Sequence, residues 1–232
     1  MTGQTILIIE DDPEIRDVIR LYLEKHQYSV ALADRGDEAL PLVRSVQPDL
    51  IILDVLLPGK DGFEVCKEIR QETSVPVLFL SCKKEEQDKI MGLSLGGDDY
   101  ITKPFSPNEL IARVQANLRR PYFSNNRAAS SSKLEFGALQ IDLLSRTVKV
   151  NQTEIVLSKK EFDLLKFLAG RPGQTFSHEE LFREIWGQES FNDTRTIIVH
   201  VSNLRKKIEP DPSSPQYIIN VHGVGYKFLL SS

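Results

Sequence analysis

At 232 residues the chain is longer than the commonest single domain, and its 41% hydrophobic and 27% charged content excludes disorder on the scale of a domain. No apolar run is long enough to span a bilayer, and the opening MTGQT is too short and polar for a signal peptide, so no membrane contact and a cytoplasmic location are expected. The net charge of −4 hides an asymmetry that matters for a polyanionic partner: residues 1–120 carry 15 Lys+Arg against 21 Asp+Glu, while residues 121–232 carry 14 against 12 and Arg195 to Lys207 holds no acid.

Taken in chain order, short β-rich runs alternate with amphipathic helical patterns. TILIIE (5–10), YSVALA (28–33), DLIILD (49–54), VPVLFLS (75–81) and DYITK (99–103) are predicted strands. Helices are predicted over Pro13–His26, Gly36–Val46, Gly62–Gln71, Glu85–Leu95 and Pro107–Arg119. Five β-then-α units imply a parallel sheet covered on both faces with right-handed crossovers, the doubly wound, flavodoxin-like α/β class over residues 1–120. PYFSNNRAASSSK (121–133) breaks the periodicity and reads as a flexible linker. Residues 134–232 follow with short strand patterns, helices over Lys159–Ala169, Ser177–Trp186 and Thr194–Ile208, and a hairpin, YIINVHGVGYKFLL, turning around Gly223 and Gly225. That is the outline of a winged helix-turn-helix. Cys66 and Cys82 have neither CxxC spacing nor a nearby His, and are expected to be buried, reduced thiols.

The polar residues of the first half sit at strand ends, where open α/β sheets bind ligands. Glu10, Asp11 and Asp12 close the first strand, Asp54 the third, Ser81 the fourth and Lys103 the fifth. With strand order 2-1-3-4-5, Asp54 faces Glu10 and Asp11. Carboxylates so close repel unless a cation joins them, and oxygen ligands beside an expected phosphate suit Mg²⁺. Asp12, just before Pro13, is expected to serve as a helix cap.

These residues carry a resemblance. IIEDDPEI, LDVLLPGKDG, VLFLSCK and GGDDYITKPF resemble the receiver domain of bacterial two-component response regulators. The resemblance implies that Asp54 is the phosphoacceptor for a sensor histidine kinase. It also implies that Glu10, Asp11, Asp54 and the backbone carbonyl of Leu56 hold Mg²⁺, that Lys103 contacts the transferring oxygens, and that Ser81 and Tyr100 form the switch. It implies a cis Lys103–Pro104 bond and no catalytic activity beyond phosphoryl acceptance and autodephosphorylation. Gly97 and Cys82 stand where small Ala residues are usual in the family, and Leu56 where Met is common.

In the second half, projecting Thr194–Ile208 at about 100° per residue places Ile197, Val201, Leu204 and Ile208 on a core stripe. Arg195, Val199, Ser202, Asn203 and Lys206 fall opposite. Arg and Asn can read base edges, Val a thymine methyl, and Lys a phosphate. LSKKEFDLLKFLAGRPGQTFSHEELFREIWG, RTIIVHVSNLRKKIE and YIINVHGVGYKF resemble the winged-helix effector domain of the outer-membrane porin and phosphate-regulon regulators. The resemblance adds Thr196, His200 and Arg205 as contacts, Asn220, His222 and Tyr226 in the wing, and RNA polymerase as partner of the loop 187–193. Ser202, Asn203 and His222 replace basic residues seen in some members. Phosphorylation is then expected to pair two receivers, Lys89 with Glu109 and Asp98 or Asp99 with Arg113, so that a homodimer engages tandem promoter half-sites. A Mg²⁺-dependent phosphatase would need a substrate pocket and a second acid/base, and neither is evident in the sequence. A regulator without phosphorylation would be expected to lack part of the acidic site, which is all present.

Overall fold

The computed structural model describes residues 3–82, 86–118, 133–187 and 195–229. Contacts divide the chain into two compact units, Met1–Arg119 and Arg120–Ser232. The linker expected over 121–133 falls outside the described residues except for Lys133, which opens a strand.

In the first unit the elements run β1 (Thr5–Ile9), α1 (Pro13–Lys25), β2 (Ser29–Ala33), a 3₁₀ turn at Gly36–Glu38, α2 (Ala39–Val46), β3 (Leu50–Asp54), α3 (Gly62–Glu72), β4 (Val77–Ser81), α4 (Glu86–Ser94), β5 (Asp99–Thr102) and α5 (Pro107–Leu118). The sheet is parallel in the order β2-β1-β3-β4-β5. β3 and β4 are buried along their whole length, as continuous apolar runs in a sheet covered on both faces must be. Alternate residues feed two cores. Leu7, Ile9, Ile51, Leu53 and Phe79 pack with Val43 of α2 and Phe63, Cys66 and Ile69 of α3. Ile6, Ile8, Ile52, Leu80 and Ile101 pack with Ile19 and Leu23 of α1 and Leu110 and Val114 of α5.

Asp12 caps α1, accepting from the Glu14 and Ile15 N–H groups, and Asp61 caps α3 at Phe63 N–H. A Cβ at Gly62 would lie 2.0 Å from the Asp54 carbonyl, so α3 can begin against the end of β3 only with glycine there. α4 leaves Ile90 and Met91 39% and 50% exposed.

The second unit begins with the antiparallel meander β6 (Lys133–Phe136), β7 (Leu139–Asp142), β8 (Thr147–Val150) and β9 (Thr153–Ile155). α6 (Lys159–Ala169) and α7 (His178–Trp186) both start with capping boxes, Ser158 with Glu161 and Ser177 with Glu180. α8 (Arg195–Ile208) packs on both helices, and β11 (Ile218–Val221) and β12 (Gly225–Phe228) form the wing. The wing has a third strand, β10 (Thr175–Ser177), paired with β12 and not expected from the sequence, because three residues are too few to show an alternation. Phe162, Leu165, Leu181, Trp186, Ile197, Leu204, Ile218 and Phe228 share one core. Among the described residues no helix is long and apolar enough to cross a membrane.

Candidate functional site

The strand order brings the carboxyl ends of β1 and β3 side by side, and with them the expected acids. One ligand oxygen from each of Glu10, Asp11 and Asp54 lies within 4.8 Å of the others. Glu10 and Asp54 are buried, whereas Asp11 is exposed at the mouth. From the end of β5, Lys103 Nζ reaches 2.6 Å from Asp54 Oδ2, 2.8 Å from Glu10 Oε1 and 2.7 Å from Glu10 Oε2. Leu56 N–H donates to Asp54 Oδ1 at 3.0 Å. Arg16 fixes the loop from below, donating to the Glu10 carbonyl at 2.7 Å. The Lys103–Pro104 bond is cis.

Burial, with the Asp54 charge beside it, pushes the Glu10 carboxyl up to about 7 against the pull of Lys103. Burial works to lower the Lys103 ammonium, but hydrogen bonds and charges from Asp54 and Glu10 outweigh it and hold it above its ordinary range. Three carboxylates against one ammonium leave a negative surplus. Hard oxygen donors, one open to solvent, suit a small divalent cation such as Mg²⁺.

Ser81, at the end of β4, is fully buried. Tyr100 lies inward, 7% exposed, its ring 6.1 Å from Phe79 and its hydroxyl bonded to Ser81. Burial raises the phenol, partly countered by that bond.

The five charges expected to pair two receivers are placed differently. Asp98 is wholly buried, its carboxylate accepting from Arg70 at 2.6 Å and from Val77 N–H at 3.0 Å. Asp99 Oδ1 accepts from Arg113 at 2.7 Å and Glu109 from Arg113 Nε at 3.1 Å, both within the chain. Lys89 is half-buried on α4.

On α8 the expected contacts also separate. Arg195, Ser202 and Lys206 are exposed, whereas Thr196, Val199, His200 and Asn203 are buried. The physical reason is that α8 lies against two helices and buries a wider arc than one stripe; the His200 ring, for instance, sits 5.1 Å from Trp186 of α7. Arg205 donates twice to the Ile218 carbonyl, at 3.0 and 2.6 Å, and lies 5.6 Å from the Tyr226 ring. Tyr226 is buried against His178. Arg205 and Tyr226 therefore fasten the wing to the helix. Asn220 and His222 are exposed on the wing, as expected. Of the loop expected to meet RNA polymerase, 188–193 lie outside the described residues.

Cys66 is buried, but Cys82 is exposed, contrary to expectation, because it follows the last buried residue of β4.

Residues 6–115 match the response regulator receiver domain, and residues 152–228 match the transcriptional regulatory protein C-terminal domain. The response regulator DrrB of Thermotoga maritima, an OmpR/PhoB homolog, is 32% identical, covering 98% of this chain and 99% of that one, with a TM-score of 0.51. A mutant of RitR is 27% identical over 99% of this chain and 100% of that one, with a TM-score of 0.80. A two-component response regulator from Clostridium difficile is 36% identical over 52% of this chain and 100% of that one, with a TM-score of 0.50. A receiver with its acidic pocket joined to a winged helix, in a chain that matches DrrB from end to end, makes this protein a member of the OmpR/PhoB-type response regulators.

Proposed function

We propose that Asp54 takes a phosphoryl group from the phosphohistidine of a sensor kinase, and that the modified receiver pairs with a second copy to place two winged helices on tandem promoter half-sites. The observation that carries this reading is the buried Asp54 carboxylate, 2.6 Å from Lys103 Nζ and grouped with Glu10 and Asp11. In the transfer an Asp54 oxygen attacks phosphorus, the N–P bond breaks, an O–P bond forms, and the imidazole leaves. Glu10, Asp11, Asp54 and the Leu56 carbonyl would hold Mg²⁺, which supplies charge neutralisation between nucleophile and phosphoryl group. Lys103 contributes a fixed ammonium to the developing charge, and the Ser81 hydroxyl donates to a phosphoryl oxygen. A new demand on Ser81 competes with its bond to Tyr100, which couples the pocket to the surface of α4, β5 and α5.

Pairing of receivers requires Arg113 to exchange its internal partners, Asp99 and Glu109, for those of a second copy, with Lys89 available to Glu109. Exposed Arg195, Ser202, Lys206, Asn220 and His222 form the DNA-facing set, and action at promoters implies a cytoplasmic location. A regulator without phosphorylation is set aside because Glu10, Asp11, Asp54, Ser81 and Lys103 all stand at the expected strand ends.

Intact-mass measurement after incubation with acetyl phosphate tests the acceptor. One phosphoryl group per chain is expected with Mg²⁺, little with EDTA, and none on Asp54→Ala. Incorporation by Asp54→Ala at the wild-type rate would overturn the assignment.

A further inference from the structure

The exposed sector of α8 contains one side chain that the reading above leaves without a task. Ile198 is 47% exposed, against 8% for Val199, the aliphatic residue first expected to meet DNA. At about 100° per residue Ile198 lies roughly 40° from Ser202 and 60° from Arg195 on the helix surface. It therefore belongs to the same solvent-facing sector as Arg195, Ser202 and Lys206, all exposed.

An exposed isoleucine alone is ordinary. What distinguishes Ile198 is its setting: basic residues flank it along the helix, no acid occurs between Arg195 and Lys207, and the nearby Arg205 guanidinium is engaged by the Ile218 carbonyl. The sector thus pairs positive charge with an aliphatic side chain along its edge. Charge complementarity selects a polyanion, and the major groove of duplex DNA offers an apolar group on a base edge, the thymine C5-methyl.

We infer that Ile198 packs on a thymine methyl in the major groove and fixes a T·A pair in each half-site. The inference rests on the DNA-binding reading and names one determinant of the sequence read. Ser202 and Arg195 beside it then address neighbouring base edges or phosphates, and Lys206 a phosphate.

The test uses the full-length chain, phosphorylated with acetyl phosphate, to select duplexes from a randomised library. Each thymine of the selected site is then replaced singly by uracil, which removes only the methyl. At one position per half-site the substitution is expected to weaken wild-type binding by about fourfold, the effect of one buried methyl. Ile198→Ala is expected to bind more weakly and to lose the methyl effect at that position, while Ile198→Val keeps part of it. Both variants should unfold with the wild-type midpoint, since the residue is half exposed. Wild-type indifference to every uracil, or a methyl effect abolished by Val199→Ala and retained by Ile198→Ala, would overturn the inference. If the wild type enriches no duplex, DNA binding itself fails and the inference with it.

Discussion

Lys103 Nζ lies 2.6 Å from Asp54 Oδ2, with both side chains buried, and the same ammonium reaches Glu10 across the pocket. The energetic worth of such a pair is small, because desolvation of the charges offsets most of their attraction. Its contribution is positional: one Asp54 oxygen is held by Lys103 and the other by Leu56 N–H, so the acceptor keeps one orientation beneath Asp11. Removing one partner is another matter, since the other charge stays buried.

Lys103→Met preserves much of the side-chain length while leaving Glu10 and Asp54 without their ammonium. We expect the receiver to lose about 3–5 kcal/mol of stability in EDTA, the cost of breaking a buried pair. Urea unfolding with added Mg²⁺ should recover part of that loss. Unchanged stability in EDTA would show that Lys103 is not the counter-charge.

Gly97→Ala installs the side chain usual in the family, yet a Cβ here would lie 2.6 Å from Phe79 Cε2. Phe79 is fully buried, so the clash is relieved only by shifting the core under α4. A loss of about 1–3 kcal/mol is expected in chemical denaturation. Phe79→Leu combined with Gly97→Ala should cost less than the sum of the two single changes.

Burial pushes the Cys66 thiol up to about 11, so at pH 8 it stays neutral and is a poor nucleophile. Iodoacetamide on the native protein should alkylate Cys82 alone, with Cys66 reacting only in denaturant; peptide mass mapping distinguishes the two. Cys66 labelling should appear as pH is raised toward 11. Equal labelling at pH 8 would contradict its burial.

Arg205 and Lys206 are neighbours with different predicted roles. Arg205→Ala removes two hydrogen bonds to Ile218 O and should destabilise the winged helix by about 1.5–3 kcal/mol, the range for charged donors. Lys206→Ala should leave stability unchanged but reduce the slope of log affinity against log salt by about 1, as loss of a phosphate contact does. The reverse assignment of the two effects would exchange their roles.

The receiver was legible because its strands are apolar runs ending abruptly in polar residues. Ile51, Ile52 and Leu53 can only be interior, so Asp54 had to lie at the rim beside Glu10 and Asp11. Less legible was anything decided by a second contact. The projection of α8 identified its core stripe, Ile197, Val201, Leu204 and Ile208, but not the burial of Val199, nor that of His200, whose ring packs against Trp186 of α7. Asp98 and Asp99 look alike in sequence, yet Asp98, just before β5, meets Arg70 of α3, and Asp99, the first residue of β5, meets Arg113 of α5. That Arg205 fastens the wing through the Ile218 carbonyl, 13 residues later, is likewise absent from any helix projection.

The central claim is that a phosphoryl group on Asp54 controls the winged helix, and the affinity of the full-length protein for its selected tandem duplex tests it most directly. Measured at fixed salt with and without acetyl phosphate and Mg²⁺, wild-type affinity should rise on phosphorylation with two chains bound per duplex, while Asp54→Asn should show no rise. Equal affinity of the wild type in both states, or an equal rise in Asp54→Asn, would contradict the account.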